Sequence, residues 1–297
     1  MKSLRLPLRC AIVLAFVLVS HTGFAQESLP SDSGNATHTL FTRKNIITYG
    51  IVAHSIFTTY IEYKWWWKGD YHPFTFQVEG FLNDYSVGVD KFGHMYTSHF
   101  YFHTLYNLLT WGGYDESTTL WVSSLIPAFY AFSIELGDGF SSFHFSPDDL
   151  TFNLAGVGYG ILQTKYPFFN NFKIKWSYFP SASHLNSFQH PFSADYDRHI
   201  YWLTFNVHNL LPASAAQYWP RFLNLAVGYG GNNISSYAVG PKLRKLAIGL
   251  DYNLTTIPLE GETWDVVKNI IDLFHLPAPG IRLVESKPPD YELLLSH

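Results

Sequence analysis

Two periodicities divide this chain. Up to about residue 166, apolar residues recur in long, sparsely charged runs with a helical beat; beyond residue 170 they alternate. Residues 46–67 bring Ile47, Ile51, Ile56, Tyr60 and Tyr63 together on a helical projection and close on Trp65-Trp66-Trp67. A second helix is predicted over 90–110, stopped by Trp111-Gly112-Gly113, and a third over 118–136, with Pro127 expected to kink or interrupt it. The fourth, over 147–164, carries Gly156 and Gly160 at a spacing that lets another helix approach closely. Residues 170–193 read as a long linking loop. Residues 200–208, 223–229 and 246–254 alternate as half-buried strands, and 281–285 makes a last strand. Between them, 263–274 reads as an amphipathic helix with Trp264, Val267, Ile271 and Phe274 inward. About four strands are too few for a transmembrane barrel. The expectation is a mainly α protein: a four-helix, membrane-associated bundle at 45–166, then a linker and a small β-rich (α+β) C-terminal module at 167–297.

Composition sharpens the membrane reading. Of 297 residues 47% are hydrophobic and 18% aromatic, whereas 14% are charged, against about 25% in ordinary soluble domains. Abundant Trp and Tyr with few charges suit a bilayer interface. Residues 1–25 have the layout of a signal peptide: Lys2, Arg5 and Arg9, an apolar run over 10–19, then Gly23-Phe24-Ala25 as a cleavage context. A polar, disordered lead-in is expected at 26–44. Losing three basic residues makes the formal charge of −4 more negative, which argues against nucleic acid as a partner. Cys10, the single cysteine, lies inside the apolar run. The exported chain is therefore expected to lack disulfides, cysteine-ligated metal and thiol chemistry.

Polar residues interrupt the apolar helices at regular spacing. Asp90 and His94 share a helix face, as do Glu135 with Asp138 and Asp149 with Asn153. Asp90 suits an N-cap or the orientation of His94. Glu135, ending an apolar helix, needs a partner, for which His94 or Lys91 is the candidate. Asp138, between two glycines, suits a turn. Ser146-Pro147-Asp148-Asp149 resembles a capping box, whereas Asn153 lies too far inside the helix to cap it. His99 and His103 have zinc-helix spacing without the glutamate of that motif. Asp90, Lys91, His94, Glu135, Asp138, Asp149 and Asn153 thus form either a hydrogen-bond network between helices or a histidine–carboxylate site for acid–base or metal chemistry. No nucleophile elbow, phosphate loop or dinucleotide fingerprint is present, and no cofactor is indicated.

Asn83-Asp84, D-K-F-G-H at 90–94, E-L-G-D-G-F at 135–140 and F-S-P-D-D-L-x-x-N-L-A-G at 145–156 resemble the YfiM-like family of predicted periplasmic lipoproteins. Later motifs, including G-Y-G at 228–230 and G-L-D-Y-N-L-T at 249–255, resemble its longer, Bacteroidetes-like form. The lipid-attachment cysteine of that family is missing. Asp90, Lys91, His94, Glu135, Asp149, Asn153 and Gly156 are also distantly similar to VanZ-like membrane proteins. Both resemblances imply an envelope location and neither implies a reaction. The expected function is a non-catalytic, membrane-associated structural or ligand-binding protein of the cell envelope, with a membrane or envelope component as its partner. The alternative is a hydrolase or transferase acting on a lipid or glycan headgroup through His94, Glu135 and Asp149.

Overall fold

A computed structural model of the protein describes residues 41–81, 83–180, 195–234 and 240–295. The expected leader and most of the polar lead-in lie outside them. Four long helices come first: α1 (Arg43–Glu62), which continues as a π-helical turn (Tyr63–Trp67), α2 (Val89–Trp111), α3 (Glu116–Asp138) and α4 (Pro147–Lys165). Strands β1 (Phe172–Tyr178) and β2 (His199–Phe205) follow. After the short helices α5 (Val207–Leu210) and α6 (Ala213–Ala216) come β3 (Leu223–Asn232) and β4 (Leu243–Tyr252). Helix α7 (Glu262–Ile271), β5 (Ala278–Val284) and β6 (Asp290–Leu295) end the described chain. Two compact units interleave in sequence: one runs to Thr75 and resumes over Leu105–Phe145, the other comprises Phe76–Thr104 and Ser146 onward.

In the first unit, Thr42 caps α1 by accepting from the Asn45 N–H, and Ile47 and Ile51 pack with Leu105 and Leu109. Trp67 turns inward: its ring covers Gly137 and its Nε1 donates to Asp138 at 2.6 Å, while Trp65 stays exposed. Helix α3 runs unbroken through Pro127. Its buried row is Thr119, Ser123, Pro127, Ala131 and Glu135, whereas Trp121, Leu125 and Phe132 are exposed. It is the one described helix long and apolar enough to cross a membrane, and 28% of its most apolar window is buried.

The second unit holds one antiparallel six-stranded sheet in the order β1-β2-β3-β4-β5-β6. Beyond β1, the segment leading into β5 folds back: Trp176 donates its N–H to the Leu273 carbonyl, and His275 donates its own to Trp176. The sheet thereby curls around an interior of Ile200, Trp202, Ala226, Ala247 and Leu295, with His275 stacked on Trp202 at 3.9 Å. Helix α4 meets α2 through glycine. A Cβ on Gly156 would overlap the Met95 carbonyl, and one on Gly160 the Phe102 ring. Helix α2 in turn lays Tyr96 against Tyr201 and Trp176 of the sheet.

These observations overturn the mainly α, four-helix-bundle expectation: the fold is mixed α+β. The expected linking loop contains β1, overlooked because its alternate residues Lys173 and Lys175 resemble a surface segment. The β6 strand was missed as well. The alternation elsewhere is real, but on β4 the buried half carries the charges. Lys245, Ala247 and Asp251 face inward, and Leu246 and Ile248 are about half exposed. Helix α7 is inverted likewise: Trp264, Val267 and Ile271 are exposed, and Lys268 is buried.

Candidate functional site

Lys91 anchors the polar cluster of the second unit. It lies in the first turn of α2, with a side chain of 0% exposure. Its Nζ is 2.5 Å from Glu79, 2.6 Å from Asp149, 3.5 Å from Asp90 and 3.8 Å from Asp84. Local folding aims these carboxylates. Asp84 accepts from the N–H groups of Ser86 and Gly88 and from the Ser86 hydroxyl, fastening a tight turn in which Val87 has φ 51°. Such a conformation is strained for a β-branched residue and needs outside support. Here Tyr229 supplies it by donating to the Val87 carbonyl. The Ser86 Oγ then accepts from the Asp90 N–H at 2.9 Å, so Ser86 performs the capping that Asp90 was a candidate for. The freed Asp90 carboxylate accepts from Tyr196, whose hydroxyl also bonds Tyr85. At the start of α4, Ser146 accepts from the Asp149 N–H, and Asp148 accepts from the N–H groups of Glu79 and Gly80.

Asn153 decides how His94 is used. Its Oδ1 accepts from the Ser98 hydroxyl, so its Nδ2 is the donor toward His94 Nδ1 at 3.0 Å. In the neutral imidazole the proton therefore sits on Nε2. That nitrogen faces Asp90 at 3.7 Å and Asp149 at 3.6 Å. The ligand-type atoms of Asp90, His94 and Asp149 all lie within 4.8 Å of one another, as do those of Glu79, Asp84 and Asp90.

Burial and charge pull in opposite directions here. Burial pushes Glu79 upward in spite of Lys91. Burial also opposes the ionised form of Asp90, but His94, Lys91 and the tyrosine hydroxyls outweigh it and hold the group below its ordinary range. Lys91 would be lowered by burial, yet Asp90, Asp149 and Glu79 raise it. The ammonium is firmly charged.

The structure thus brings together Asp90, Lys91, His94, Asp149 and Asn153 of the expected network. Glu135 and Asp138 belong to the first unit: Glu135 is buried in the last turn of α3, and Asp138 is held by Trp67. His99 and His103 both donate from Nε2 to the Gln163 carbonyl oxygen at 2.8 Å. The Gln163 amide is fixed in that sense because its nitrogen donates to the Phe169 and Phe172 carbonyls.

Sequence reasoning missed Glu79 and Tyr196, and it named Asp84 within the Asn83-Asp84 motif without joining it to the polar network. Spacing along one helix cannot reveal partners that arrive from a loop or a distant turn. It also missed a second buried centre. Lys175 Nζ lies 2.9 Å from both Asp251 and Asp272 and donates to the Tyr252 carbonyl. Lys173 joins Asp272 as well. Two lysines alternating in an otherwise apolar strand were the available signal.

With this geometry in hand, the chain can be set against known proteins. The fold and cluster define an α+β protein with apolar surfaces and a buried ionic hub. A family model described as predicted periplasmic lipoprotein (DUF2279) matches residues 78–165, from the loop carrying Glu79 to the end of α4. This supports a periplasmic or envelope-associated location. No curated protein and no solved structure matches the chain.

Proposed function

We propose that the protein is a non-catalytic, membrane-associated component of the cell envelope, and that the Lys91 cluster fastens its second unit. One observation carries this reading: a fully buried ammonium already occupies the centre of four carboxylates. A dication between Asp90, His94 and Asp149 would meet the Lys91 charge across the same Asp149 oxygen. The Nδ1 lone pair of His94 is engaged by Asn153, and its Nε2 proton points at carboxylates, which does not suit a general base awaiting substrate.

The alternative is a headgroup hydrolase or transferase working through His94 and Asp149, and the compact Asp90–His94–Asp149 grouping favours it. Metal analysis separates the two. The purified full chain should carry no stoichiometric divalent metal, and added Zn²⁺ or Mn²⁺ should leave its melting temperature unchanged. One retained equivalent of metal, lost in Asp149→Asn, would replace this reading with the enzymatic one.

A further inference from the structure

The sheet of the second unit buries charge beside its apolar interior and still leaves apolar rows outward. Lys175, Asp251 and Lys245 point inward with Ile200, Trp202 and Ala247, while the outward rows are apolar. The register aligns one outward row across all six strands: Ile174, Leu203, Val227, Ile248, Ile281 and Tyr291. The adjoining row starting at Phe172 also contains no charged residue where it pairs, whereas the row starting at Trp176 lies partly under α2. Leu203, Leu225, Val227, Ile248, Tyr291 and Leu293 are each between 41% and 83% exposed. Soluble monomers rarely expose contiguous apolar patches beyond a few hundred Å². Here the cost of burying ions has been met on one face while large apolar side chains are left on the other. Water as the solvent does not explain that arrangement.

We propose that this outward sheet face lies in the apolar layer of a lipid bilayer; the inference rests on the membrane association proposed above and names the surface responsible. Two observations favour lipid over a second copy of the chain. A partner chain covers one patch, but the same pattern recurs on α7, with Trp264 exposed and Lys268 buried. Backbone pairing across the central strands β3 and β4 satisfies the polar groups that lipid could not.

The test is site-directed depth measurement in the full chain. In a Cys10→Ser background, Ile248→Cys is labelled with an environment-sensitive fluorophore and mixed with phosphatidylcholine vesicles carrying doxyl groups on their acyl chains. Val227→Cys serves as a second variant in case the first misfolds, and Glu260→Cys, in an exposed turn, as the reference position. The proposal expects flotation with the vesicles, a blue-shifted label at 248 quenched severalfold by the lipid, and protection from aqueous iodide. Flotation with labels at 227 and 248 no more quenched than at 260 would overturn this surface while leaving membrane association standing. Failure to float would remove both. Protection from iodide without lipid quenching, growing with protein concentration, would assign the face to a second copy instead.

Discussion

Lys91 shows how one side chain can decide what a cluster does. Without it, four carboxylates and a histidine would read as a site waiting for a metal. With it, the charges already have a cation. Replacing that cation by an isosteric apolar group, Lys91→Met, should cost on the order of 3–5 kcal/mol at neutral pH, because the carboxylates are left buried against one another. The pH dependence carries the diagnosis. Deprived of Lys91, the carboxylates acquire folded-state pKa values above their unfolded ones, so the deficit should shrink as acid protonates them. Denaturant titrations of both proteins at pH 7.5 and pH 5 would measure this. A deficit equal at both values would mean lost packing, and the ionic account would fail. Part of this centre was legible in the sequence: Asp90 with His94, and Asp149 with Asn153, stand four residues apart on helix faces, and Lys91 adjoins the first pair. Glu79, Asp84 and Tyr196 were not, because a loop and a distant turn deliver them.

At the level of elements, the period of a pattern was legible and its sign was not. Helices α1 to α4 sit close to the expected positions, and β2, β3 and β4 alternate as expected. Which half of an alternating strand is buried follows from the solvent it faces, and the amino-acid order alone does not name that solvent. Glycine spacing was more informative, since Gly156 and Gly160 do mark where α4 approaches α2. A paired substitution measures that contact. Gly156→Ala pushes a methyl group into the Met95 carbonyl and should destabilise by about 1–3 kcal/mol. Gly158 has open space around its Cβ position, so Gly158→Ala in the same helix should instead stabilise by roughly 0.5–1 kcal/mol. Equal effects from the two changes would show that helix propensity, not close approach, governs the position.

Across the whole molecule, buried titratable groups set the two units against each other as pH changes. In the first unit, burial raises Glu62 to about 7, only partly offset by the Tyr130 hydroxyl. Its folded form keeps a proton that the unfolded chain surrenders above its ordinary carboxylate range, so this unit gains stability as pH falls from 7 toward 4.5. In the second unit, burial lowers His103 and His275 to about 4. There the unfolded chain takes up protons that the folded one refuses, so stability is lost as pH falls from 6.5 toward 4. Hydrogen-exchange protection, corrected for intrinsic rate and compared at pH 7 and pH 5.5, should rise around Glu62 and fall across β4 and His275. Changes of one sign in both places would refute this assignment of protons.

The Lys175 centre also constrains the order in which the chain can be assembled. Lys175 and Asp272 stand 97 residues apart, and the ammonium cannot leave water until both its acids are in place. Strand β1 emerges before both of its acids: Asp251 comes with β4, and Asp272 only with the segment after α7. Closure of the curled sheet is therefore a late, long-range event, of the kind that folds slowly because distant parts must meet before any contact rewards them. Until then the apolar faces of β2, β3 and β4 are held by no completed interior, which makes the interval after export the period when this protein is most open to aggregation.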